Sequence, residues 1–173
     1  MTKYILRLTL TLLLITAVVA GLLGLTNYLT EDKIQALEDE KAVQAMQEVL
    51  PADNYEELPV QKEGVIAAYR AGEAGYVVRV SVNGFGGAID MMVGVDNGGA
   101  VTGVSIISHA ETASLGANCT REDFRSQFVG GSGDFAVTKD GGQIDALTGA
   151  TVTSRAVSKG VNLALAYVKE VQG

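Results

Sequence analysis

Val77-Val78-Arg79-Val80-Ser81-Val82, Ala88-Ile-Asp-Met-Met-Val-Gly-Val95 and Ala100-Val-Thr-Gly-Val-Ser-Ile-Ile-Ser108 are the runs whose reading decides the fold of this chain. All three are rich in Val and Ile, as is the shorter run 65–69, and Gly or Asn-Gly separates them. β-branched residues bounded by such punctuation read as strands. Asn97-Gly98, between the last two runs, is a strong signal for a tight hairpin. Asn83-Gly84-Phe85-Gly86-Gly87 is a Gly-rich connection that no helix follows, so it is not a dinucleotide-binding fingerprint. Tyr69, Tyr76 and Phe85 are expected in the core.

Helical patterns flank these strands. Residues 31–50 carry Ile34, Leu37, Ala42, Met46 and Val49 at roughly helical spacing, with Pro51 ending the run. The charges among them, Glu31, Asp32, Lys33, Glu38, Asp39, Glu40 and Lys41, read as a solvated face. Residues 52–63 are acidic and turn-like, a connector containing Pro59. Downstream, Thr120 is the expected N-cap of a short helix reaching about Phe128. Gly130-Gly-Ser-Gly133 is a flexible link, and Phe135–Thr138 a short strand. The last helix, about 153–171, sets Val157, Val161, Ala164, Val168 and Val171 on one core-facing side. Gly160 within it costs about 1 kcal/mol relative to Ala, which points to close packing at that position. Arg155 and Lys159 read as ordinary solvated helix cations.

From Leu8 to Leu29 the chain is uncharged and dominated by Leu, Ile, Val, Ala, Gly and Thr. As a helix it spans roughly 33 Å, enough for a bilayer core. It exceeds the roughly 7–15 apolar residues of a signal peptide, which favours a retained transmembrane helix. Lys3 and Arg7 precede it and Glu31 and Asp32 follow, placing the N-terminus in the cytoplasm and residues 31–173 outside, at the cell (inner) membrane. All 20 acidic residues and 11 of the 13 basic ones lie beyond residue 30, a formal charge of −9 that argues against nucleic acid or anionic headgroups as partners. Cys119 is the sole cysteine and His109 the sole histidine. That excludes an intrachain disulfide, a four-thiolate iron–sulfur cluster, bis-His haem and a His-rich metal site. If this chain moves electrons, an organic cofactor carries them. No metal is expected, and Cys119 reads as an inert apolar side chain.

Asp145-Ala-Leu-Thr148-Gly149-Ala150-Thr151-Val-Thr153 stands just before the last helix. A helix start offers unpaired N–H groups and a partial positive charge that favour a phosphate, while Gly and Ala leave room for a bulky group. Thr148 and Thr153 equally suit a plain capping role. A second segment, Ser108-His109-Ala110-Glu111-Thr112-Ala113-Ser114-Leu115-Gly116, follows the last strand run.

Together these segments resemble the FMN-binding domain family, found in ion-translocating electron-transport complexes of the Rnf type and in the related sodium-pumping quinone reductases. The resemblance covers roughly residues 65–170. The first segment is similar to the family's flavinylation signature, and the second to its His-x-Glu-Thr-Pro-Gly-Leu-Gly loop. The resemblance implies FMN joined through its phosphate to Thr151, with Thr148, Gly149, Ala150 and Thr153 around it and Asp145 read by a flavin transferase. It implies that Glu111, Thr112, Leu115 and Gly116 contact the flavin ring. His109 is either a structural loop residue or a flavin neighbour. Ala113-Ser114 departs from the family's Pro-Gly, so the loop's turn differs in rigidity.

The implied fold is α+β: an N-terminal transmembrane helix, then a compact domain with an antiparallel sheet and flanking helices. The expected regions are the cytoplasmic N-terminus and membrane helix over 1–30, a stalk helix and connector over 31–63, and the covalent FMN domain over 64–173. The chain's compactness resembles the G subunits of Rnf-type complexes. By that resemblance it relays electrons inside a ferredoxin:NAD oxidoreductase that translocates ions, with the complex's membrane and redox subunits as partners and no independent catalysis. Two alternatives stay open: a free-standing extracytoplasmic flavinylated carrier, and a C-type subunit of a sodium-pumping quinone reductase.

Overall fold

The Val/Ile-rich runs pair in sequence order into one antiparallel meander, β1 (Glu56–Leu58), β2 (Val65–Ala71), β3 (Gly75–Asn83), β4 (Ala88–Asp96) and β5 (Val101–His109). A computed structural model describes residues 2–173, without the side chains of Thr2, Asp32, Gln35, Ala36 and Glu38. The expectation of a solvated face therefore goes untested at Asp32 and Glu38, while Glu31, Lys33, Asp39, Glu40 and Lys41 are exposed. The Asn97-Gly98 turn does join β4 to β5: Asp96 N–H donates to the Ala100 carbonyl at 2.9 Å, and Gly99 takes φ 81°. The acidic connector is not wholly turn-like, because β1 lies within it as an edge strand on β2.

The helices are α1 (Thr2–Val49), α2 (Glu122–Arg125) and α3 (Thr151–Gln172). The chain divides into residues 1–40 and 41–173. In the larger unit both sheet faces are covered, so the central strands are buried along most of their length. Val78, Val80, Met91 and Val93 face α3 with Val157, Val161, Ala164 and Val168. Val77, Met92 and Ile107 face the end of α1, where Ala42, Ala45, Met46 and Val49 are buried. Gly94 and Gly103 let that last turn approach, since a Cβ at either would collide with the Val49 backbone. Thr102 Oγ1 then donates to the Val49 carbonyl at 2.6 Å.

Gly160 has the packing reason its position suggested: a Cβ there would lie 2.9 Å from Met91 Cε and 3.0 Å from its Sδ. Val171 does not join the buried face of α3; it is 40% exposed, on the final turn. Thr120 is not a helix N-cap. It ends a 3₁₀ turn, Gly116–Thr120, and its hydroxyl donates back to the Ala117 carbonyl, so Arg121 precedes α2 with no side-chain cap. The expected strand at Phe135–Thr138 reduces to one bridge between Val137 and Ile144. Phe135 instead stacks edge-on against Phe128, at 5.2 Å between ring centres.

In the smaller unit, Lys3–Glu31 is long and apolar enough to cross a membrane, with mean hydropathy 2.4. Tyr4 and Tyr28 stand exposed near its ends, where amphipathic rings suit the headgroup level. The hydroxyls of Thr9, Thr11, Thr16, Thr26 and Thr30 donate to carbonyls one turn back, which satisfies them without water.

Candidate functional site

Glu111 is where three distant segments meet. Its Oε1 accepts the N–H groups of Phe85 at 2.7 Å and Gly86 at 3.0 Å, in the β3–β4 turn. Its Oε2 accepts the hydroxyl proton of Thr153, in the first turn of α3, at 2.5 Å. Gly84 and Gly116 are small for a reason: a Cβ at either would strike the Glu111 carboxylate. Burial disfavours its charge, but the hydrogen bonds from Thr153, Gly86 and Phe85 and the nearby His109 outweigh that, so its pKa is lowered. Glu111 is therefore an ionised internal brace, 8% exposed. His109 supports it from the end of β5, its Nδ1 accepting the Glu111 N–H at 3.2 Å.

Around this brace lies a cleft of about 380 Å³ lined by both expected segments, Glu111, Thr112, Leu115 and Gly116 on one side and Gly149–Thr153 on the other. Gly149 adopts φ 76°, which delivers Thr151 to the first position of α3. The opening N–H groups of a helix have no intrahelical acceptor, so α3 presents donors and partial positive charge here. Lys139 lines the same cleft, and its Nζ donates to Thr151 Oγ1 at 3.3 Å. Leu115 and Val152, with Phe85, add apolar surface, 44%, 47% and 73% exposed.

Thr148 and Asp145 do not line the cleft, and both are exposed. Neither Thr148 nor Thr153 caps α3, because Ala150 occupies the cap position without a side-chain bond and Thr153 is turned inward to Glu111. Ser154 supplies the junction instead, its Oγ accepting the Leu147 N–H at 3.0 Å and donating to the Ala150 carbonyl at 3.0 Å. The Asp145 backbone is held by Gln127, whose Oε1 accepts its N–H at 2.7 Å, leaving the carboxylate outward. Phe85 is not a core residue but an exposed side chain at the cleft. Arg155 is no free cation: it grips Asp140 at 2.6 and 2.7 Å. Sequence reasoning missed Lys139 and Val152; Lys139 is twelve residues from Thr151 in a Gly-flanked turn and carries no local signal. Cys119 is buried, and burial with the nearby Glu111 charge pushes its thiol up to about 11, which keeps it inert.

The Ala113-Ser114 departure has a visible consequence. Ser114 takes φ 63°, a left-handed conformation where the family's Gly is at ease. An L-residue pays about 1–2 kcal/mol there, while a Gly costs about 0.4–1 kcal/mol more in chain entropy. Ser114→Gly is therefore expected to stabilise the domain by about 0.5 kcal/mol. Urea denaturation of the detergent-solubilised chain, with an unchanged slope, checks this; a loss of stability would show that the Ser114 side chain itself holds the turn.

The sequence model of the FMN-binding domain matches residues 84–166, and that of the RnfG N-terminal region matches residues 1–49. The G subunit of an ion-translocating oxidoreductase complex from Methanosarcina acetivorans is 35% identical over 99% of this chain and 98% of its own length. The chain belongs to the RnfG family. Further relatives are the G subunits of the proton-translocating ferredoxin:NAD(+) oxidoreductase complex of Clostridium ljungdahlii, 35% identical over 93% of this chain and 90% of that one, and of the Na(+)-translocating complex of Acetobacterium woodii, 34% identical over 94% and 91%. The fold is also that of the C subunit of the Na(+)-translocating NADH-quinone reductase from Parabacteroides distasonis, with a TM-score of 0.54 over 78% of this chain and 84% of that one at 18% identity. FMN is thus the cofactor of this domain. The cleft of this RnfG-family chain fits it: a hydroxyl at a helix start, a cation and free N–H groups for phosphate, and apolar side chains for a planar ring.

Proposed function

We propose that this chain is the electron-relay subunit of a membrane-bound, ion-translocating ferredoxin:NAD oxidoreductase, carrying FMN as a phosphoester on Thr151. The observation that carries the reading is the position of Thr151, at the first residue of α3 and inside the cleft lined by the 111–116 loop. FMN, when bound, supplies one- and two-electron chemistry. Thr151 tethers the phosphate, the opening N–H groups of α3 face its charge, and Leu115, Val152 and Phe85 shield the ring from water. Glu111 holds the walls together. Among the described residues its carboxylate is the one acidic side chain lining the cleft, and both its oxygens are engaged, so it is not free to act as a general acid or base. A relay fits that arrangement better than an independent catalyst.

Lys3–Glu31 spans the membrane, the one such helix among the described residues, with Lys3 and Arg7 cytoplasmic and the FMN domain outside. Asp145, exposed beside the Thr148–Thr151 turn, is what a flavin transferase reads during maturation. One preparation tests these points. The tagged chain, solubilised from membranes, is expected to bring with it other membrane and redox subunits and ferredoxin-dependent reduction of NAD. A chain isolated alone from active membranes would overturn the assignment to a complex. Protease added to right-side-out vesicles is expected to remove residues 41–173, and cleavage in inverted vesicles only would reverse the orientation.

A further inference from the structure

Lys139 is an ammonium beside a hydroxyl that cannot balance its charge. Its Nζ donates to Thr151 Oγ1 at 3.3 Å, and among the described residues it has no carboxylate partner. The neighbouring acid, Asp140, is taken: Arg155 Nε reaches its Oδ2 at 2.6 Å and the second guanidinium arm reaches its Oδ1 at 2.7 Å. Arg155 sits one helical turn beyond Thr151, so this bidentate pair fastens the Thr138–Asp140 turn to α3. The base of the turn is held as well. Asp140 N–H and Gly142 N–H both donate to the Val137 carbonyl, at 2.8 and 3.1 Å, and Gly141 closes the turn at φ 84°. A Cβ at Gly142 would strike the Ala136 carbonyl, so the chain can return this tightly only with Gly there. The backbone that carries Lys139 is thereby held close to Thr151.

From this geometry we infer that Lys139 is a phosphate-binding residue: it pairs with the anionic phosphodiester carried on Thr151, and the Asp140–Arg155 pair positions it. The inference rests on the proposed attachment at Thr151. An ammonium with three rotatable donors suits a phosphate oxygen as a point charge. The opening N–H groups of α3 contribute the other donors. Esterification replaces the hydroxyl proton with an anionic group at the atom Lys139 already faces, so its contact strengthens when the flavin is attached. The Asp140–Arg155 pair matters in a second way, because an unpaired Asp140 would compete with the phosphate for the ammonium.

The test uses the full chain, co-expressed with a flavin transferase, as wild type, Lys139→Met, Lys139→Arg and Asp140→Asn. Flavin loaded per chain over time is read by mass, and the loaded chain's phosphodiester by its ³¹P resonance. Lys139→Met is expected to load about fivefold more slowly, as one partly exposed charge-assisted contact implies. It should also move the ³¹P resonance. Lys139→Arg should restore both, and Asp140→Asn should move the resonance with Lys139 intact. Wild-type loading with a wild-type resonance in Lys139→Met would overturn the inference. So would slow loading with an unmoved resonance, which would make Lys139 a transferase contact only. If Lys139→Met is poorly folded by circular dichroism, Asp140→Asn carries the decision, and an unmoved resonance there overturns the positioning role. A wild-type chain that takes no flavin, or takes it at another residue, would instead sink the Thr151 attachment.

Discussion

Thr151→Val is expected to leave the domain folded and to abolish the proposed covalent attachment of FMN. Val keeps the shape of Thr and removes the hydroxyl. Thr151 is half-buried, and among the described residues its side chain makes one hydrogen bond, with Lys139, so the stability change should stay within about 1 kcal/mol. Exported wild type should gain the mass of one FMN less one water and give a fluorescent band after denaturation; the variant should give neither. The neighbouring hydroxyls are poor substitutes for different reasons. Thr153 is 1% exposed and already donates to Glu111, whereas Thr148 lies outside the cleft lining. A band that survives in the variant and maps to either residue would refute the assignment of Thr151. Asp145→Ala, which leaves the acceptor in place, should lower labelling.

Glu111→Ala is expected to be the most damaging single change to the site. It strands the N–H groups of Phe85 and Gly86 and the Thr153 hydroxyl, and it opens a void between Gly84 and Gly116. Hydrogen bonds to a charged group contribute about 1.5–3 kcal/mol each, and not additively, so a loss of about 3 kcal/mol is expected. For a domain of this size that lowers Tm by roughly 10 °C. Flavin loading should fall more than tenfold, because the Gly-rich turn, the loop and α3 are no longer tied together. Glu111→Gln should be milder: its Oε1 still accepts both N–H groups, and its amide can donate to Thr153. The wild-type advantage over Glu111→Gln should also depend on pH. With a lowered folded-state pKa, the carboxylate's contribution is complete above the unfolded value of about 4.3 and is lost as pH falls through the folded value. Thermal melts of unflavinylated protein between pH 7 and pH 3 measure this. An equally stable, equally loaded Glu111→Ala chain would remove Glu111 from its bracing role.

The membrane span, the four main strands, the hairpin at Asn97-Gly98 and the final helix were all legible in the amino-acid sequence, because each is decided within a few neighbouring residues by apolar content, turn chemistry or length. The segments 108–116 and 145–153 were legible as motifs for a similar reason, and they do line one cleft between them. What no local pattern reveals is which side chains of those motifs face inward. Glu111 stands in the expected loop and lines the cleft, but only the tertiary structure shows that it also braces segments 26 and 42 residues away. Thr153, which reads as a cap or as a phosphate neighbour, turns to that carboxylate, and Ser154 takes the junction. Phe85 reads as core, yet the Gly-rich turn that Glu111 holds leaves it exposed. Lys139 acquires a role only when Arg155 draws the Thr138–Asp140 turn onto α3. Periodicity and turn residues report the energetics of a chain with itself over a few positions. Hydrogen bonds and ion pairs between distant segments depend on how sheet and helix pack, and the tertiary structure alone decided them.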